Sequence, residues 1–108
     1  MALCCSAFAQ KQEGHATYYS HRLTGRKMAS GIRYHKDSLF CAHRTYPFGT
    51  LLKVTHLEDG KSVIVKVTDR GPFSKHCVVD VSYEAARRLG IIHKGRAMVS
   101  VEPVKNEE

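Results

Sequence analysis

His43 and Asp69 are the side chains here best suited to move a proton, since imidazoles and carboxylates most often do so. His43 lies in CAHRTYPFGT (41–50), ahead of a Pro-Phe-Gly turn. Asp69 lies in VTDRGPF (67–73), where a β-patterned run gives way to Arg-Gly-Pro. A strand end running into a turn combines a rigid base with an accessible tip, which suits a reactive group. A proton donor beside a carboxylate that opposes developing positive charge is the equipment of glycosidic cleavage. Each residue also has a plainer reading. Asp before Arg-Gly can cap a turn through nearby amides, and His43 can be a half-buried support.

The elements that must hold these groups are mostly strands. Residues 51–57 and 62–68 carry the clearest β pattern, with Val63, Val65 and Val67 on one face and Ile64 and Lys66 on the other. Asp59-Gly60 between them is a hairpin signal, because Gly takes positive φ without steric cost. Residues 15–19, 40–43, 78–81 and 97–101 are shorter strand candidates. Residues 20–38 show no period and read as a long irregular segment. One helix is expected over 83–89, capped by Ser82, with Glu84 complementing the helix dipole and Gly90 ending it. Short strands with one helix suit a small closed barrel, which leaves no exposed sheet edge.

Length and charge bound the function. The chain has 108 residues, 43% of them hydrophobic, which suffices for one domain with its own core. The formal charge of +7 is compatible with an acidic partner such as nucleic acid, an anionic membrane or an acidic polysaccharide. No reader helix or aromatic RNA-binding signature accompanies it, so a nucleic-acid partner is not expected. No segment is long enough to span a bilayer. Residues 1–9 read as a signal-peptide remnant, with Ala7-Phe8-Ala9 before Gln10 fitting a signal peptidase site. Residues 10–104 then form the domain and 105–108 a polar tail. Beyond residue 9 only Cys41 and Cys77 remain, either as a disulfide or as two buried thiols. Together with His43 and His76 they match no usual zinc spacing.

The pieces GHATYYSHRLTGRKMASG, residues 39–50, VTHLEDGKSVIVKVTDRGPF and VVDVSYEAARRLG, in that order and spacing, resemble the rare lipoprotein A family. The resemblance runs from Gly14 to about Val104. It implies a mainly β fold, a six-stranded double-psi β-barrel with one short helix. It also implies an exported, monomeric lytic transglycosylase of the periplasm or cell envelope, acting on peptide-stripped peptidoglycan glycan strands without metal or cofactor. Lipoprotein anchoring through Cys4 or Cys5 is left open.

Residue by residue, the resemblance makes Asp69 the acid/base carboxylate and His43 the active-site histidine. Asp80 becomes a cleft support. Tyr18 and Tyr19 stand where the family usually has Trp-Tyr, as stacking surfaces for sugar rings. Arg44 and Arg70 are candidates for binding substrate carboxylates, as are Arg26 and Arg33. Tyr34, Phe48 and Phe73 can supply further aromatic walls or belong to the core. The departure is Ile32, which occupies the position of the usual Glu on the cleft rim. Isoleucine can neither give nor take a proton, and losing such a group commonly removes a factor of about 10²–10⁴ in rate. A non-catalytic, expansin-like glycan-binding module is therefore the alternative.

Overall fold

The strand that delivers Asp69 shows how pattern becomes structure. The computed structural model describes residues 11–104, so the expectations for residues 1–9 and 105–108 fall outside the described residues. In order the elements are β1 (Gln12–Tyr18), a 3-10 turn (His21–Leu23), β2 (Phe40–Ala42), β3 (Leu51–His56), β4 (Ser62–Asp69), β5 (Cys77–Val81), α1 (Tyr83–Leu89) and β6 (Ala97–Pro103). Along β4, Val63, Val65 and Val67 are buried while Ser62, Ile64 and Lys66 are exposed, the period-two alternation of a half-buried strand. β3 and β6 flank the same interior with Leu52, Val54, Val99 and Val101.

The six strands close into a barrel in the order β1-β5-β2-β4-β3-β6, so no strand edge is left open. Two pairings are parallel, β1 with β5 and β2 with β4, and the rest are antiparallel. This is the expected six-stranded double-psi barrel with one short helix. Three strands, β4, β5 and β6, run one or two residues beyond their sequence-expected bounds, β1 begins three residues early and ends one early, and β2 and β3 each end one residue short. β6 continues to Pro103 because Pro at a strand's last position forfeits no needed ladder bond. Cys41 and Cys77 are separate buried thiols in this interior, and burial pushes the Cys41 thiol up. Among the described residues, no helix is long and apolar enough to cross a membrane.

α1 forms as its caps dictate. The Ser82 side chain accepts from the Ala85 N–H, Gly90 takes φ 78°, and the Gly90 N–H reaches the Ala86 and Arg87 carbonyls. Ala85, Ala86 and Leu89 form its buried face against β4 and β1. His56 fixes the far end. A carbonyl can only accept, so His56 Nδ1 donates to the Leu89 carbonyl oxygen at 3.1 Å and joins β3 to the helix terminus.

Residues 20–38 hold no named strand or α-helix, only a 3-10 turn and one isolated bridge, as an irregular segment would, but they have an internal order. They fold back as a miniature hairpin, bridged at Lys27 and Arg33 and closed by Gly25 N–H to Tyr34 O and Met28 N–H to Ile32 O. Its anchors are Tyr34 and Met28, only 2% and 5% exposed. The Tyr34 hydroxyl oxygen accepts from Tyr83 N–H at the start of α1, and the Thr68 hydroxyl donates to Met28 Sδ. Two single anchors leave no period to read, which is why the pattern was silent there.

Gly14 in β1 has less room for a side chain than any other glycine among the described residues. A Cβ at this position would lie 2.6 Å from Val78 Cγ1. We expect Gly14→Ala to destabilise the fold by about 1–3 kcal/mol in urea unfolding, from overpacking. Val78→Ala in the same chain should recover most of that loss, and purely additive single-variant effects would refute the steric origin.

Candidate active site

The ends of β1, β4 and β5 meet the 20–38 hairpin around an open cleft of about 410 Å³. Tyr18, Tyr19, Asp69 and Asp80 form the barrel side. Ser20, Leu23, Arg26, Lys27, Met28 and Tyr34 form the hairpin side. Asp69 reaches the cleft through a break in the strand pattern. β2 pairs Cys41 with Val67 but Ala42 with Asp69, so Thr68 is an extra residue in β4. Val67 and Thr68 are consecutively buried there, and a bulge of this kind re-aims the side chain that follows it.

Three donors hold the Asp69 carboxylate. Oδ1 accepts from Ala29 N–H at 2.8 Å and from Arg70 N–H at 2.9 Å, and Oδ2 accepts from the Tyr19 hydroxyl in a short contact. Tyr19 stacks on Tyr34 with ring centroids 4.8 Å apart. Burial, reinforced by the Asp69 hydrogen bond and the nearby carboxylate charges, pushes the Tyr19 phenol well above its ordinary value, so it remains a donor. Asp80 has a different environment. Burial raises its carboxyl above the usual range, the Thr17 hydroxyl bonded to Oδ1 opposes that rise, and the Asp69 charge adds to it. The cleft thus contains two carboxyl groups in unlike surroundings, which is the arrangement that separates an acid role from a base role.

The other sequence candidates lie elsewhere. The His43 ring is not part of this cleft lining and is 3% exposed. Its Nδ1 lies 3.2 Å from both Thr45 N and Tyr46 N, and its Nε2 is 2.9 Å from Gln12 Oε1. Arg44 donates to the Ser74 and Cys77 carbonyls at 2.6 and 2.7 Å. Arg70 donates to the Tyr46 and His43 carbonyls at 2.9 and 3.3 Å, with its guanidinium 4.1 Å from the centre of the Phe48 ring. Both guanidiniums are occupied in tying loops together. Ile32 is 42% exposed on the hairpin whose tip carries Ala29, outside the cleft lining. Of the further aromatic candidates, Tyr34 lies buried at the cleft base and Phe73 is 85% exposed.

Sequence reasoning missed Thr17, Lys27, Met28 and the Ala29 amide. Thr17 was within reach, because it shares a strand face with Tyr19 by the period of two. The Ala29 N–H carried no signal, since a backbone donor has no residue identity.

Comparison with known proteins agrees with this architecture. A family model described as "Lytic transglycolase" matches residues 11–101. A protein of Aquifex aeolicus (strain VF5), named "Probable endolytic peptidoglycan transglycosylase RlpA", is 50% identical over 82 residues, covering 76% of this chain and 36% of its own. The "Endolytic peptidoglycan transglycosylase RlpA" of Neisseria meningitidis serogroup A is 43% identical over 93 residues, covering 86% of this chain and 39% of its own. The chain therefore spans well under half the length of these relatives. Among solved structures, apo Clavibacter michiganensis expansin superposes with a TM-score of 0.72 at 28% identity, over 92% of this chain and 52% of the expansin. A Streptomyces papain inhibitor, at 23% identity and a TM-score of 0.73 over 92% of this chain and 98% of its own, shares the fold. With a family model matching nearly all of the described barrel and relatives this similar, the chain belongs to the lytic transglycolase family of double-psi β-barrel domains, as its resemblance to rare lipoprotein A implied.

Proposed function

We propose that this domain cleaves peptidoglycan glycan strands as an endolytic transglycosylase, with Asp69 and Asp80 as its working carboxyl pair. The observation that carries the reading is their shared cleft, with one carboxylate accepting three hydrogen bonds and the other half-buried with its ionised form disfavoured. The names of the Aquifex and Neisseria relatives support the same substrate. Export to the cell envelope follows from that substrate.

Asp80, whose carboxyl is raised above the usual range by burial, donates its proton to the leaving glycosidic oxygen as the C1–O4 bond of the muramoyl residue breaks. Asp69 faces the oxocarbenium-like centre and opposes its positive charge. The muramoyl C6 hydroxyl then attacks C1 and returns its proton to the Asp80 carboxylate, leaving a 1,6-anhydro end. One C–O bond breaks, one forms, and no water is consumed. Tyr19 keeps Asp69 in place, and the mixed charge of the cleft, with Arg26 and Lys27 opposite the two carboxyls, suits a sugar that itself carries a carboxylate. On this reading Asp80 takes up part of the role that the usual Glu at Ile32 would have had. A glycan-binding module without turnover is the second reading, and the specific observation favouring it is the isoleucine at position 32.

Digestion of amidase-treated sacculi, with mass spectrometry of the released fragments, tests this directly. Native protein should yield 1,6-anhydro ends, Asp69→Asn should abolish them, and Asp80→Asn should lower their rate by about 10²–10⁴. Ile32→Glu should raise turnover. Undiminished product from Asp69→Asn would sink the assignment, and glycan binding with no product from any of these proteins would establish the binding module.

A stability measurement gives an independent check on Asp80. Its carboxyl is raised in the folded state, so the folded protein holds more protons than the unfolded chain, and stability falls as pH rises from the ordinary carboxylate range through the raised value. Asp80→Asn keeps an acceptor for Thr17 and removes the charge. Urea unfolding should therefore show Asp80→Asn more stable than native protein at pH 7, with the difference shrinking toward pH 4; a pH-independent difference would contradict the burial of an ionisable group.

A further inference from the structure

We propose that His43 is a positioning residue, an imidazole that with Gln12 and Arg70 locks the end of β2 against the strand end carrying Asp69, and that it exchanges no proton with substrate. The inference rests on the reading of Asp69 as a working carboxylate, but its central observations are independent of activity.

Hydrogen-bond chemistry fixes the protonation state. Backbone N–H groups can only donate, so His43 Nδ1, facing the Thr45 and Tyr46 amides at 3.2 Å, is a bare acceptor. A neutral imidazole then carries its proton on Nε2, which donates to Gln12 Oε1 at 2.9 Å. Protonating Nδ1 would set an N–H against two other N–H groups and cost both bonds. The groups facing the ring agree. Gln12 of β1 is uncharged, the Tyr46 ring lies 4.5 Å away in the loop after β2, and the neighbouring charges, Arg44 and Arg70, are both positive. Burial first, then these two arginines, lowers the imidazole to about 4.

The same residue touches the Asp69 segment through its backbone. The His43 N–H donates to the Asp69 carbonyl oxygen at 3.2 Å, and the His43 carbonyl accepts from the guanidinium of Arg70, the residue whose own N–H holds Asp69 Oδ1. The ring is thus the fixed point of a chain running from Gln12 in β1 through the 43–46 turn to the backbone of Asp69. Misplacing a reacting carboxylate by about 1 Å can cost about 10²-fold, so such a lock has a catalytic consequence without chemistry of its own.

Gln12 allows a test that leaves the imidazole in place. Nitrogen-15 NMR of the substrate-free protein should show His43 as the Nε2–H tautomer from pH 8 to pH 5, protonating only near pH 4. Gln12→Leu, which removes the acceptor, should shift the Ala29 amide resonance and lower kcat about tenfold with KM little changed, because the lost property is placement. Gln12→Glu, which keeps an acceptor, should restore kcat to within a few fold. The pH–rate limbs of Gln12→Leu should match those of native protein. A His43 midpoint between pH 6 and 7, a protonated Nδ1 at pH 6, or native kinetics and Ala29 shift in Gln12→Leu would overturn the proposal. Product formation by Asp69→Asn would instead overturn the catalytic reading while leaving the tautomer result standing.

Discussion

The Asp69 carboxylate is the point at which separate parts of the chain are held in register. Tyr19 just past β1, Ala29 on the 20–38 hairpin and Arg70 just past β4 all direct a donor at its two oxygens. Hydrogen bonds to an ionised acceptor are roughly twice as strong as neutral ones, and each removes an amide or hydroxyl that would otherwise need solvent. Without this carboxylate the hairpin would lose one of the two amide bonds that tie its tip to β4, the other being Ser30 N–H to the Thr68 carbonyl. The group that is best placed for chemistry is therefore also a structural node. A loss of activity on replacing it has to be read beside a measurement of folding.

A barrel of this size can bring distant segments together because its closure is complete. β1 lies beside both β5 and β6, so Thr17 meets Asp80 and Gly14 meets Val78 although each pair is far apart in sequence. The two parallel pairings carry the irregularities, one between His15 and Ala16 and one between Cys41 and Ala42. The second is what turns Asp69 into the cleft. The placement of Asp69 thus depends on a local fault in a strand whose other residues alternate regularly.

Arginine serves this protein in a way that composition alone obscures. Arg44 and Arg70 were natural candidates for an anionic ligand, yet both deliver their donors to backbone carbonyls of neighbouring loops. A planar guanidinium with several donors suits this task, since one side chain can bond two carbonyls at once. Among the described residues, Arg26 and Lys27 are the cations that face the cleft. They come from the hairpin that carried no periodic signal.

The sequence by itself determined the strand-rich fold, the β3–β4 hairpin, the capped helix and the position of Asp69 at a strand end. These follow from alternation, from caps and from turn residues, all of which act between near neighbours and so leave a written trace. Family resemblance extended that to the barrel topology and to the Glu position filled by Ile32. Only the tertiary structure decided that Asp80 is buried against Thr17, that the His43 ring is turned toward Gln12, and that residues 20–38 form a wall. Each of these depends on contacts across the barrel or on backbone amides such as that of Ala29. Such contacts have no spacing rule and no residue identity, so nothing in the order of the residues could announce them.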